Sequence, residues 1–124
     1  SKTPLHLLLG QLVDAFRLRI QAQITTTFAP HEPPPDVKLA FYRIAQEALN
    51  NVAKHAQAQH LDVAFSVQGQ HLQLLVADDG CGFDVTQVGR GIGLNSMRER
   101  ADQHGMSLEI ISAAGEGTRL VAIW

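Results

Sequence analysis

The chain holds one cysteine, Cys81, in 124 residues, so no internal disulfide can staple it, and a lone thiol fits a reducing compartment. It has no hydrophobic run near the roughly 18 residues of a membrane-spanning helix, and its start, Ser1-Lys2-Thr3-Pro4, lacks a signal-peptide pattern. A cytoplasmic piece with no membrane contact of its own is expected, even if it belongs to a membrane-bound parent. Neither sign of charge dominates: the net charge is -2, and the 10 Lys and Arg residues are scattered. Without a continuous basic stripe, direct nucleic-acid binding is excluded. The 6 histidines, His6, His31, His55, His60, His71 and His104, show no ligand-like spacing and have no second cysteine to join them, which argues against structural zinc. No internal repeat or low-complexity tract interrupts the chain.

With 45% hydrophobic residues, residues 1–124 suffice for one domain that buries roughly two thirds of its unfolded surface. Leu5, Leu8, Leu9, Leu12, Val13 and Phe16 recur at helical spacing, which predicts an amphipathic helix over 3–18. Residues 20–28 alternate polar and apolar and are rich in Thr and Ile, the pattern of a strand. The proline-rich run 29–35 forms a stiff connector, and a second helix is expected over 36–56. Residues 60–67 and 71–77 read as a hairpin through Gln68-Gly69-Gln70. A further helix follows Gly93, with Ser96 and Glu99 at capping-box spacing and Gly105 at its end. Residues 106–112 and 118–124 close the chain as paired strands. This order predicts an α/β fold, an α+β two-layer sandwich in which one mixed sheet carries helices on one face.

Turning the second helix by roughly 100° per residue puts Phe41, Ile44, Ala45, Ala48, Leu49 and Val52 on a core face and Arg43, Gln46, Asn50 and Lys54 opposite. Glu47 and Asn51, stacked four apart, lie on the border. A border position is either a solvated edge or the rim of a pocket. Asp78 ends a predicted strand, and Gly80 and Gly82 after it let the backbone turn sharply beside a ligand or serve an ordinary turn. Gly89, Gly91 and Gly93 precede a helix whose free N–H groups and dipole favour anions, although a flexible loop and cap would look the same. No Gly-x-x-x-x-Gly-Lys-Ser/Thr is present, and the glycine triplet lacks dinucleotide-fingerprint spacing.

In this order, EALNNVAKH (47–55), DDGCG (78–82), GRGIGL (89–94) and GEGT (115–118) resemble the four boxes of the Bergerat-type ATPase and kinase superfamily. Within it, FYRIAQEALNNVAKHA (41–56) and GIGLNSMRERA (91–101) resemble the catalytic domains of sensor histidine kinases of the nitrate-sensor and lipid-desaturase-sensor subclass. The resemblance implies a domain that binds ATP and Mg2+ and passes the γ-phosphate to a histidine on the dimerisation domain of the same protein, from which a response regulator takes it. It implies that Asn51 completes the magnesium shell and Glu47 is the catalytic or magnesium-supporting residue, with Lys54 and His55 near the phosphates. Asp78 would receive the adenine amino group, Gly80 and Gly82 would shape the wall, and Thr118 would reach the base through water. Gly91 and Gly93 would hinge the phosphate lid, and Leu94 ends the same box.

Only residues 84–88 separate Phe83 from Gly89, so the long lid of many histidine kinases is absent, in keeping with the subclass. No phosphoacceptor helix precedes Leu5 and no histidine sits in an acceptor motif. The chain is therefore expected to be a monomeric fragment of a larger kinase, nearly inactive alone. Two rivals follow from the same superfamily: a serine kinase of the anti-sigma type, and an ATP-gated clamp in which Glu47 activates water. Cys81 reads as a packed, inert thiol and Arg98, Glu99 and Arg100 as a charged helix face.

Overall fold

A computed structural model describes residues 2–84 and 93–124. The expectations for Gly89 and Gly91 lie outside them. The elements are α1 (Leu5–Phe16), β1 (Gln23–Phe28), α2 (Pro35–Asn51), a π-helical turn (Val52–Ala56), β2 (His60–Gln68), β3 (His71–Asp78), α3 (Leu94–Gln103), β4 (Ser107–Ser112) and β5 (Thr118–Ile123). The five strands form one mixed sheet in the order β1-β2-β3-β5-β4. β1 runs parallel to β2, and the other three pairings are antiparallel.

Strand periodicity of two sends Leu61, Val63 and Phe65 of β2, Leu72, Leu74 and Val76 of β3, and Leu120 and Ala122 of β5 to one buried face. α2 lies over that face with α1 and α3 beside it. Its core stripe is the one the helical spacing marks out, Phe41, Ile44, Ala45, Ala48 and Leu49, all buried. Phe41 meets Phe65 edge to face at 5.2 Å and 77°, the geometry that sets a positive ring edge on a negative ring face. Among the described residues no helix is long and apolar enough to cross a membrane.

The connector before α2 does more than span a gap. Glu32 accepts the backbone N–H of Leu5, the first residue of α1, at 2.8 Å and pairs with Lys38 Nζ of α2 at 2.7 Å. One carboxylate thus satisfies an unpaired amide at a helix start and an ammonium that is only 7% exposed. The Lys38 bond, followed by the Leu5 N–H, holds the Glu32 carboxyl below its ordinary range.

Three local expectations are corrected. α3 begins at Leu94 behind Gly93, with no side-chain cap; Ser96 and Glu99 fall inside the helix, so their capping-box spacing is incidental. The strand expected from residue 20 begins at Gln23, because Arg19 and Ile20 still donate to the Phe16 carbonyl and Ile20 is buried in the core. The long helix reaches Ala56 as expected, but its last five residues widen into the π turn. Gly105 does end α3: with φ +67 it lets Met106 N–H bond Ala101 O at 2.9 Å and Gly105 N–H bond Asp102 O at 3.4 Å, a Schellman closure.

Candidate functional site

Where α2 passes the ends of β3 and β5, one cavity opens, with about 510 Å³ of empty space including its open mouth. Its floor is apolar, from Ala48, Val52, Val76, Met97, Ile110 and Leu120. The polar groups enter at the edges: Asn51 and His55 from the helix side, Asp78 and Thr118 from the sheet. Ala56, Gly82, Phe83 and Leu94 complete the lining. A mostly apolar pocket with a few convergent polar groups is the usual form of a small-molecule site.

Asp78 and Thr118 are neighbours because β3 and β5 pair in that register. Burial pushes the Asp78 carboxyl above its usual range, against the downward pull of the Gly80 N–H, which donates to Asp78 Oδ1 at 2.8 Å. Gly80 itself lies tight against the Ala56 carbonyl. That carbonyl accepts Cys81 N–H at 2.7 Å, and the His55 carbonyl accepts Cys81 Sγ–H at 2.8 Å. The π turn, which closes on Gln57 in the left-handed conformation at φ 51, thus aims two carbonyls outward, and the turn after Asp78 receives both. The end of α2 and the Asp-x-Gly-x-Gly turn form one wall.

Two residues that sequence reasoning passed over hold this wall. Asp79 Oδ1 accepts the backbone N–H groups of Gln59 and His60 at 2.9 and 2.8 Å, and its Oδ2 meets His60 Nδ1 at 2.9 Å. These bonds, the His60 backbone N–H first, lower its pKa to about 2. Ser112 Oγ accepts Phe83 N–H at 2.9 Å, donates to Gly117 O at 2.9 Å, and lies 2.8 Å from Thr118 Oγ1. The doubled Asp at 78–79 and the serine facing Thr118 across a predicted hairpin were the only signals in the sequence.

Of the remaining candidates, Glu47 sits one turn before Asn51 with its carboxylate against Gly93. Gly93 has φ +70, and a Cβ there would overlap the Glu47 carboxylate, so both backbone and space demand glycine at the start of α3. Lys54 is not among the cavity's lining residues: it is exposed and lines a separate cleft with Arg19 and Gln57. The reason is helical phase: Lys54 falls on the face opposite the core stripe, and His55, one residue on, turns back toward it. Gly91 lies outside the described residues. Among them no group of three or more His, Cys, Asp or Glu side chains could hold a metal ion.

Comparison with known proteins accords with this geometry. Residues 36–124 match the family model described as histidine kinase-, DNA gyrase B-, and HSP90-like ATPase. The chain is 37% identical over 113 residues to the sensor histidine kinase LiaS of Bacillus subtilis, covering 90% of this chain and 31% of LiaS. It is 36% identical over 89 residues to the signal transduction histidine-protein kinase/phosphatase DegS of Brevibacillus brevis, covering 71% of this chain and 23% of DegS. The chain thus spans a third or less of these relatives. The blue-light activated histidine kinase of Erythrobacter litoralis EL346 shares the fold at a TM-score of 0.83, with 22% identity over 97% of this chain and 41% of that one. The match across α2, α3 and strands β2 to β5, together with this identity to sensor kinases, places the chain in the histidine kinase-, DNA gyrase B- and HSP90-like ATPase family, as an ATP-binding catalytic domain of the histidine kinase type.

Proposed function

We propose that the cavity takes ATP with its adenine against Asp78 and Thr118 and its phosphates toward Asn51, and that the domain donates the γ-phosphate to a histidine on the dimerisation domain of the same protein. The observation that carries this reading is a half-buried carboxylate, Asp78, in an otherwise apolar cavity whose helical rim bears Asn51 and His55. An apolar floor suits a flat base, and a desolvated carboxylate is a strong acceptor for its amino group.

Magnesium fits the donor set. This hard cation takes few protein oxygens and fills its octahedron with water and phosphate oxygens, and Asn51 offers one amide oxygen at the rim with Glu47 one turn earlier. Bound there, the ion would neutralise phosphate charge. Glu47 would orient it or accept a proton, and Gly93 would let the backbone enter α3 close against the Glu47 carboxylate. Phosphoryl transfer asks mainly for positioning and charge neutralisation, which these residues supply without a covalent intermediate. The short interval between Phe83 and Gly89 supports the nitrate-sensor and lipid-desaturase-sensor subclass. Acceptor helix and response regulator would be the partners, and this chain alone would be a monomeric unit.

Two measurements test the reading. Asn51→Ala should weaken ATP-analogue binding with magnesium and leave binding in chelator almost unchanged; equal magnesium dependence in both proteins removes Asn51 from the metal. Incubated with radiolabelled ATP, the chain should label almost nothing alone and should give acid-labile phosphohistidine once a fragment bearing the acceptor helix is added. Acid-stable label would point to serine instead.

A further inference from the structure

We propose that Ser112 is a positioning residue that fixes the hydrogen-bond polarity of Thr118, and so makes the base end of the cavity select an exocyclic amino group over an exocyclic oxygen. The proposal rests on the nucleotide-site reading above and goes beyond it, because it concerns a side chain that does not line the cavity.

The argument is a count of hydrogens. A serine hydroxyl has one hydrogen and two lone pairs. The Phe83 N–H can only donate to Ser112 Oγ, and the Gly117 carbonyl can only accept from it. Those two contacts use the hydrogen and one lone pair. The third neighbour, Thr118 Oγ1 at 2.8 Å, would be an ambiguous partner in isolation, but here its O–H must point to the lone pair that Ser112 has left. Thr118 therefore has no hydrogen to offer the cavity it lines. It presents lone pairs alone.

Asp78, its register partner across the sheet, is also acceptor-only when ionised. Two acceptors side by side match the two N–H bonds of one amino group. A water bridging Asp78 and Thr118 would keep the same polarity, since both of its hydrogens would be committed to the protein and it could only accept from the ligand. An exocyclic oxygen offers neither acceptor a hydrogen. Without Ser112 the Thr118 hydroxyl could rotate and donate to such an oxygen, so selectivity would fall while the cavity kept its shape.

The test compares ATP with inosine triphosphate, which carries oxygen where ATP carries the amino group, by calorimetric titration of the chain and its variants. Wild type should prefer ATP. Ser112→Ala should lower the ATP-to-inosine ratio of affinities about fivefold, the worth of one neutral hydrogen bond, and Ser112→Thr, which restores a hydroxyl, should return it. In a Thr118→Val background Ser112→Ala should change the ratio no further, as two residues acting through one atom require. A folded Ser112→Ala that loses both nucleotides equally overturns the proposal, because a merely structural serine would do that. If Ser112→Ala does not melt cooperatively, Thr118→Val decides: a ratio unchanged from wild type overturns the proposal. Wild type binding neither triphosphate would overturn the nucleotide site itself, a result distinct from an unchanged ratio.

Discussion

Asp78 and Asp79 are adjacent in the chain and opposite in fate. Asp78 ends β3 inside the cavity, where burial pushes its carboxyl up. Asp79, one residue on, lies on the surface, where two backbone N–H groups and His60 pull its carboxyl down to about 2. One carboxylate is held in an environment that disfavours its charge, and the other in one that favours it. The difference separates a carboxylate partly desolvated at the edge of the cavity from one held by backbone N–H groups on the surface, as strand alternation and the turn that follows dictate. Desolvation and hydrogen bonding thus pull two adjacent carboxyls in opposite directions.

The largest effect that would sharpen this contrast is on binding. Asp78→Asn should cost about 1.5–3 kcal/mol of ATP affinity, the worth of a hydrogen bond to a charged group, read by calorimetric titration. Its melting temperature near neutral pH should hold or rise. A carboxyl whose folded pKa is raised favours folding below its unfolded pKa and loses that contribution as pH rises through the folded value, so the native ionised Asp78 opposes folding at neutral pH. A clear fall in melting temperature would break the contrast.

Asp79→Asn should do the reverse, lowering the melting temperature while leaving ATP affinity within about twofold, since the residue sits outside the cavity and a charge-assisted bond is lost. A large affinity loss with unchanged melting would place Asp79 in the site. The smallest effect is in acid. The stabilisation from Asp79 should be complete above the unfolded carboxyl value of about 3.9 and fall away as pH drops through about 2. Carboxyl carbon shifts followed by NMR should show Asp79 titrating well below Asp78; coincident titration would contradict both environments.

The sequence made Asp78 legible and left Asp79 obscure for a physical reason. A strand end followed by two glycines announces a turn beside a pocket. The partners of Asp79, Gln59 and His60, lie 20 and 19 residues away, and they become neighbours only once β2 and β3 have paired. Asn51 was legible because helical phase alone puts it on the border of α2, and the same phase explains why Lys54 faces a separate cleft. The capping-box spacing of Ser96 and Glu99 misled because Gly93, with its positive φ, starts the helix before that pair can act. Ser112 showed only its place opposite Thr118 in the closing hairpin, since its part depends on three partners from two segments, Phe83 on one side and Gly117 and Thr118 on the other.

The π turn at Val52–Ala56 sets a limit on how this domain can be re-engineered. A π turn is in effect one residue inserted into an α-helix, so the helix carries a built-in change of gear between the rim that bears Asn51 and the wall that receives Cys81. Deleting a single residue from 52–56 would restore regular winding, because the π turn holds about one residue more per turn than an α-helix. The widening that turns the His55 and Ala56 carbonyls out to Cys81 would go with it, and the turn bearing Asp78 would lose the wall it is fastened to. The residue count of this helix is therefore tied to the turn that carries Asp78.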